Sequence, residues 1–90
     1  MAADIRFQTT PNPNAGKFSA GRPIMEGKAS RSYYSAAQAA GDPLAELLFQ
    51  VEGVASLFMV EDFVTVTKRP EAEWQLLAPR IVDIMQRALG

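Results

Sequence analysis

The segment Thr10-Pro11-Asn12-Pro13-Asn14 limits this chain more than any other. Two prolines one residue apart fix two φ angles and remove two backbone donors. Each also drives the residue before it, Thr10 and Asn12, out of the helical region. Asn12 and Asn14 can turn their amides back onto nearby backbone and tolerate left-handed geometry. The result is a stiff loop that ends one strand and aims the next. A stiff loop can also hold polar groups ready for a partner, because little entropy is lost when it binds. Both readings, simple turn and recognition element, are open at this point.

The remaining elements follow from periodicity. Ile5–Thr9 alternates apolar and polar residues and predicts a strand with one wet face. Lys17–Ala20 predicts a second strand, broken by Gly21-Arg22-Pro23. Met25–Tyr34 predicts a third, with Gly27 inside it. Ser35–Gly41 reads as a helical turn or a loop. Asp42-Pro43 then signals a helix start, a capping carboxylate followed by proline at the first helical position. Leu44, Leu47, Leu48 and Val51 form its apolar stripe. Gly53 is expected at C′, just past its end.

Val54–Lys68 reads as a β-hairpin with its turn at Glu61-Asp62. A short loop sets Leu57 opposite Val66 and Met59 opposite Val64. Burying these four contributes about 1.5–3 kcal/mol each. The other face carries Phe58, Val60 and Phe63 beside Ser56, Thr65 and Thr67. Either a second layer packs there or an apolar patch is open to a partner. Pro70 ends the hairpin. A last helix is expected from about Glu73, with Trp74, Leu77, Ile81, Ile84 and Ala88 buried, Met85 and Leu89 flanking, and a kink or loose first turn at Pro79. The order β-β-β-α-β-β-α predicts an α+β fold, two helices on one face of a mostly antiparallel sheet.

Ninety residues make one domain, 1–90, with room for one modest core. The chain contains no cysteine and no histidine. That excludes disulfides, thiolate nucleophiles, imidazole acid–base chemistry and nearly every zinc or iron–sulfur ligand set. A net charge of −1 gives no electrostatic case for nucleic acid or membrane. The charge is uneven, however. Residues 1–40 carry five basic and two acidic groups (5 − 2 = +3), and residues 41–90 carry four and eight (4 − 8 = −4). A basic half could dock an acidic partner. With no spanning apolar run and no signal-peptide pattern after Met1, a cytosolic protein is the default.

Chemistry has few candidates. Glu61-Asp62 and Glu71/Glu73 are the carboxylate clusters, at a hairpin tip and in a helix's first turn, where solvated acids ordinarily sit. A hard-cation site there is an alternative that rests on bare acids. Ser30, Ser32 and Ser35 have no histidine to activate them, and a Ser–Lys arrangement with Lys28 lacks support. Tyr33-Tyr34 beside Arg31 could stack a base, but neighbours on a strand face opposite ways, so one is expected inside and one outside. Trp74 is expected to anchor the last helix to the sheet. No catalytic residue, metal ligand or cofactor site is assigned.

Taken together the segments carry a resemblance. Thr10–Asn14 is followed by Lys17-Phe18, Gly21-Arg22-Pro23, Asp42-Pro43-Leu44-Ala45 and Glu52-Gly53-Val54. Then come Asp62-Phe63-Val64-Thr65-Val66-Thr67-Lys68 and Trp74-x-Leu76-Leu77-x-Pro79-x-Ile81. Over nearly its whole length the chain resembles the N-terminal domain of the Nfu/NifU-like iron–sulfur scaffold proteins. In that family a second domain with a Cys-x-x-Cys motif holds the cluster between two copies. This chain has no cysteine, so the resemblance transfers the cluster ligands to none of its residues. What it implies is an accessory role, a non-enzymatic module that contacts iron–sulfur clients or assembly factors. Thr10, Pro11, Asn12, Pro13, Asn14, Lys17 and Phe63 are the candidate contacts for such a protein partner. The alternative is a small-ligand or hard-cation binding domain of unrelated role. Relatives often carry Gly-Pro where this chain has Val60-Glu61, which leaves the turn geometry open.

Overall fold

A computed structural model describes residues 4–24 and 30–89. Its elements run β1 (Arg6–Thr9), β2 (Ala15–Ser19), β3 (Ser30–Tyr33), α1 (Pro43–Phe49), β4 (Val54–Val60), β5 (Phe63–Lys68) and α2 (Trp74–Leu89). The strands form one antiparallel sheet in the order β1-β2-β5-β4-β3. The α+β order expected from periodicity is the observed one. The first half of the third predicted strand, Met25–Ala29, lies outside the described residues.

The hairpin sets the register of everything else. Leu57 pairs with Val66, Met59 with Val64 and Val60 with Phe63, around a two-residue turn at Glu61-Asp62. All four expected core residues are buried. Phe18 faces Val64 from β2, and Phe7 faces Phe18 from β1. These side chains line the inner face, which both helices cover through Leu44, Ala45 and Leu48 of α1 and Leu77, Ile81 and Met85 of α2.

Both helices differ in detail from the expected stripes. Asp42 caps α1 as predicted, its Oδ1 accepting the Ala45 N–H at 3.2 Å. The buried side is rotated, however: Ala45 is fully buried, because a small residue permits close approach, and Leu47 is 40% exposed. The helix ends at Phe49 with Gln50 as its C-cap, so Gly53 is not at C′. Gly53 instead makes the turn into β4 with φ 103°. A Cβ there would lie 2.9 Å from the Ala72 Cβ, so backbone angle and packing both select glycine. In α2 the buried residues are spaced by four, Leu77, Ile81 and Met85, leaving Ile84 half-buried and Ala88 exposed. That spacing advances about 40° per step on a helix of 3.6 residues per turn, so the seam walks away from Ile84. The helix runs continuously through Pro79, which lies in its second turn.

Candidate partner-binding surface

The loop Thr10–Asn14 connects β1 to β2 and is held mostly by its own polar groups. The Thr10 hydroxyl lies 2.9 Å from the Asn12 carbonyl and 3.0 Å from that of Ala15, and accepts the Asn12 N–H at 3.2 Å. Asn12 Oδ1 accepts the Asn14 N–H at 2.9 Å, an Asx turn across Pro13. Asn14 Oδ1 accepts from Lys68 Nζ at 3.0 Å, while the Asn14 carbonyl accepts the Lys68 N–H at 2.7 Å. The side-chain oxygen of Asn12 is therefore taken up within the loop, and that of Asn14 is turned toward β5. Pro11, Asn12 and Pro13 are exposed; Thr10 and Asn14 are half-buried.

The loop also fixes the start of α2. Trp74 Nε1 donates to the Pro13 carbonyl at 3.0 Å. Its rings pack on Phe7 and Phe18, with centroids 5.2 and 6.0 Å apart. Gly16 makes this cluster fit: a Cβ there would lie 2.5 Å from Phe7 Cε1 and 3.0 Å from the Trp74 ring. Trp74 thus anchors the helix as expected, and does so through the proline–asparagine loop.

Lys17 and Phe63, the other two candidates, meet on the outer face of the sheet. Lys17 Nζ stands 4.4 Å from the Phe63 ring centroid, a cation–π contact. The pairing places Arg6, Ser19, Phe63, Val60 and Ser30 in one row across that face. Gln8, Lys17, Thr65, Phe58 and Ser32 form the next row. Phe58 is 42% exposed, and Val60 and Phe63 are half-buried. Among the described residues no helix covers this side, so of the two readings of the hairpin's second face the open patch is the observed one.

The basic half of the chain is largely engaged. Arg6 pairs with Asp4 at 3.3 Å, Arg22 donates to the Leu89 carbonyl, and Arg31 Nη1 lies 3.8 Å from Asp42 Oδ2. The Arg31 guanidinium is held above its ordinary pKa, first by the Tyr33 hydroxyl, which changes nothing near neutral pH because the group is already charged. Tyr33 is half-buried and donates to Asp42 Oδ2 at 2.9 Å, while Tyr34 is 71% exposed. The two tyrosines therefore do not form one stacking platform. Lys28, the base of the Ser–Lys arrangement, lies outside the described residues.

An open cavity of about 390 Å³ is lined by Glu52, Gly53, Arg69, Glu71, Glu73 and Leu76 among others. Three acids and two arginines, Arg69 and Arg80, share it. Among the described residues no three acids converge as a metal site would need. Sequence reasoning did not single out Lys68. It is 8% exposed and has no carboxylate partner among the described residues. Its place at the end of an alternating strand, in phase with Val64 and Val66, was the available signal.

The sequence matches the family described as scaffold protein Nfu/NifU N terminal over residues 5–90. It is 46% identical over 78 residues to the human protein named NFU1 iron-sulfur cluster scaffold homolog, mitochondrial, covering 86% of this chain and 30% of that protein. It is 40% identical over 81 residues to NifU-like protein 5, mitochondrial, of Arabidopsis thaliana, covering 90% of this chain and 29% of that one. The chain thus spans under a third of the length of these curated relatives. Among solved structures, the solution structure of a NifU-like protein from Saccharomyces cerevisiae superposes with a TM-score of 0.85 at 30% identity, covering 99% of this chain and 82% of that one. The crystal structure of a Staphylococcus aureus protein gives 0.76 at 29%, covering 90% and 96%. Both of these curated relatives are named mitochondrial, in contrast to the cytosolic default expected from the sequence. For the described residues, no helix is long and apolar enough to cross a membrane. With the match running from residue 5 to residue 90, this chain belongs to the Nfu/NifU N-terminal family.

Proposed function

We propose that residues 1–90 act as one non-enzymatic accessory module in iron–sulfur protein maturation. It contacts a client or assembly factor and does not hold the cluster itself. Family membership supports the process. The observation that carries the contact role is the open outer sheet face, where exposed Phe58 and half-buried Val60 and Phe63 lie beside Lys17 with no helix over them among the described residues. Apolar side chains at the centre of a sheet cost hydration when left bare, and such patches mark contact surfaces. Thr10 and Asn14 then serve as the frame that fixes β2 and α2. Pro11, Asn12 and Pro13 are the part of the loop that a partner can reach. A mitochondrial compartment is the reading supported by the relatives' names.

The test is capture from native extract by the wild-type chain, Phe58→Ser and Asn12→Ala, each with a thermal melt. Iron–sulfur assembly factors or clients should be retained by wild type and lost by Phe58→Ser at an unchanged melting temperature. Equal retention by Phe58→Ser removes the outer face from the proposal. Retention of proteins with no link to iron–sulfur assembly removes the process.

A further inference from the structure

The outer face is specific about what it can accept. Its strand positions carry two cations, Arg6 and Lys17, and no carboxylate. Arg6 is already matched by Asp4. Glu61 and Asp62 lie at the hairpin tip, at the rim of the face. Among the described residues the strand cation of this face with no carboxylate partner is therefore Lys17, whose ammonium stands 4.4 Å from the Phe63 ring centroid on β5. Phe58 and Val60 lie on the adjacent β4, one strand spacing of about 4.8 Å away. On a helix, side chains three and four residues apart stand about 5–6 Å apart. A helix laid across these strands can therefore set a carboxylate over the cation and an apolar residue of the same face over the patch. Serines and threonines, Ser19, Ser32, Thr65 and Thr67, surround the patch and tolerate partial burial against such a helix.

We infer that the outer sheet face docks an acidic amphipathic helix of a partner protein, its carboxylate on Lys17 and its apolar side on Phe58, Val60 and Phe63. This rests on the contact role proposed above and names the chemistry of the partner. The helix would lie on the sheet as α1 and α2 lie on its other side. A nucleic acid fits less well. A phosphate track needs a line of cations and stacking rings, whereas among the described residues this face has one cation without a carboxylate partner, and Tyr33 is bound inward to Asp42.

The test uses the whole chain, isotope-labelled for amide NMR. One probe is a designed helical peptide with Glu and Leu at amphipathic spacing. The controls are the same peptide with Lys for every Glu, and a single-stranded oligothymidine. The Glu peptide should shift amides on β2, β4 and β5 and bind about ten-fold tighter than the Lys peptide, since like charges across an interface are penalised. Lys17→Glu, at a half-buried strand position on the sheet's outer face, should reverse that preference, and Phe58→Ser should weaken both peptides. Equal affinity for the two peptides overturns the inference, as does a preference that survives Lys17→Glu. Shifts confined to the α2 flank, tighter binding of the oligothymidine, or concentration-dependent shifts of the chain alone, which would place a second copy on the face, overturn it too. If Phe58→Ser loses iron–sulfur partners from extract while the peptides show no preference, the contact role stands and the acidic helix falls. If neither assay responds, both fall.

Discussion

Lys68 is the least ordinary residue in the protein, a buried lysine whose ammonium meets neutral acceptors. Its Nζ lies 3.0 Å from Asn14 Oδ1 and 3.4 Å from the Arg69 carbonyl. A buried charge without partners is costly, so these bonds are conditions of the fold and not additions to it. The asparagine that looked free to meet a partner is thereby committed to β5. Asn14→Ala is expected to destabilise by about 1–3 kcal/mol, because it leaves a buried donor unmet. Lys68→Met removes the donor and keeps the stem, and in that background Asn14→Ala should cost little. A double-mutant cycle by urea titration checks this. A coupling energy near zero would show that the Asn14–Lys68 bond is incidental.

Among the elements, the hairpin turn shows how local and tertiary demands meet. Glu61 has φ 45°, in the left-handed region where a side chain is strained by about 1–2 kcal/mol. The turn keeps that shape because its carbonyls are taken from the side: Ala20 N–H donates to Asp62 O at 2.8 Å and Ile24 N–H to Glu61 O at 2.6 Å. Glu61→Gly should relieve the strain, less about 0.4–1 kcal/mol for the freer unfolded chain. The melting temperature should rise slightly; a fall would mean that the Glu61 side chain stabilises the turn. The residue type at 61 does not mark it as left-handed; the tight two-residue turn demands that angle, and the 20–24 segment takes up the turn's carbonyls. The same distinction separates what was legible from what was not. The hairpin register was legible because alternation about Glu61-Asp62 gives the same pairs whether the loop has two residues or four. The Asp42-Pro43 start was legible because capping is local. The exposure of Leu47 and the centring of α2 on Met85 were not, because periodicity gives a helix a face but not its rotation against a neighbour. Gly53 was read as a helix stop, yet what selects it is Ala72 and Leu77 from another part of the chain. In the candidate site, Lys17 and Phe63 were named separately, and only the β2–β5 pairing brings them together.

At the scale of the whole molecule, one sheet with both helices on one side divides the labour. The inner face carries the core from Phe18 to Met85, and the outer face is left for contact. The donor chemistry of the chain sets what that contact can involve. Its side chains offer carboxylates, amides, hydroxyls and thioethers, with no thiolate and no imidazole. Iron–sulfur clusters are held by cysteine thiolates, with histidine as the common substitute. Carboxylates could replace them only if several converged, and among the described residues no three acids do. Anaerobic reconstitution with iron and sulfide, followed by desalting, should therefore leave neither element in stoichiometric amount on this chain, and its absorbance should lack the charge-transfer bands of a cluster. A partner that supplies thiolates changes the expectation: the mixture should carry the partner's cluster, with no change in its band positions when the present chain is added. A stable product of one cluster per chain, or one per two chains, would refute the separation of contact from cargo on which the proposed role depends.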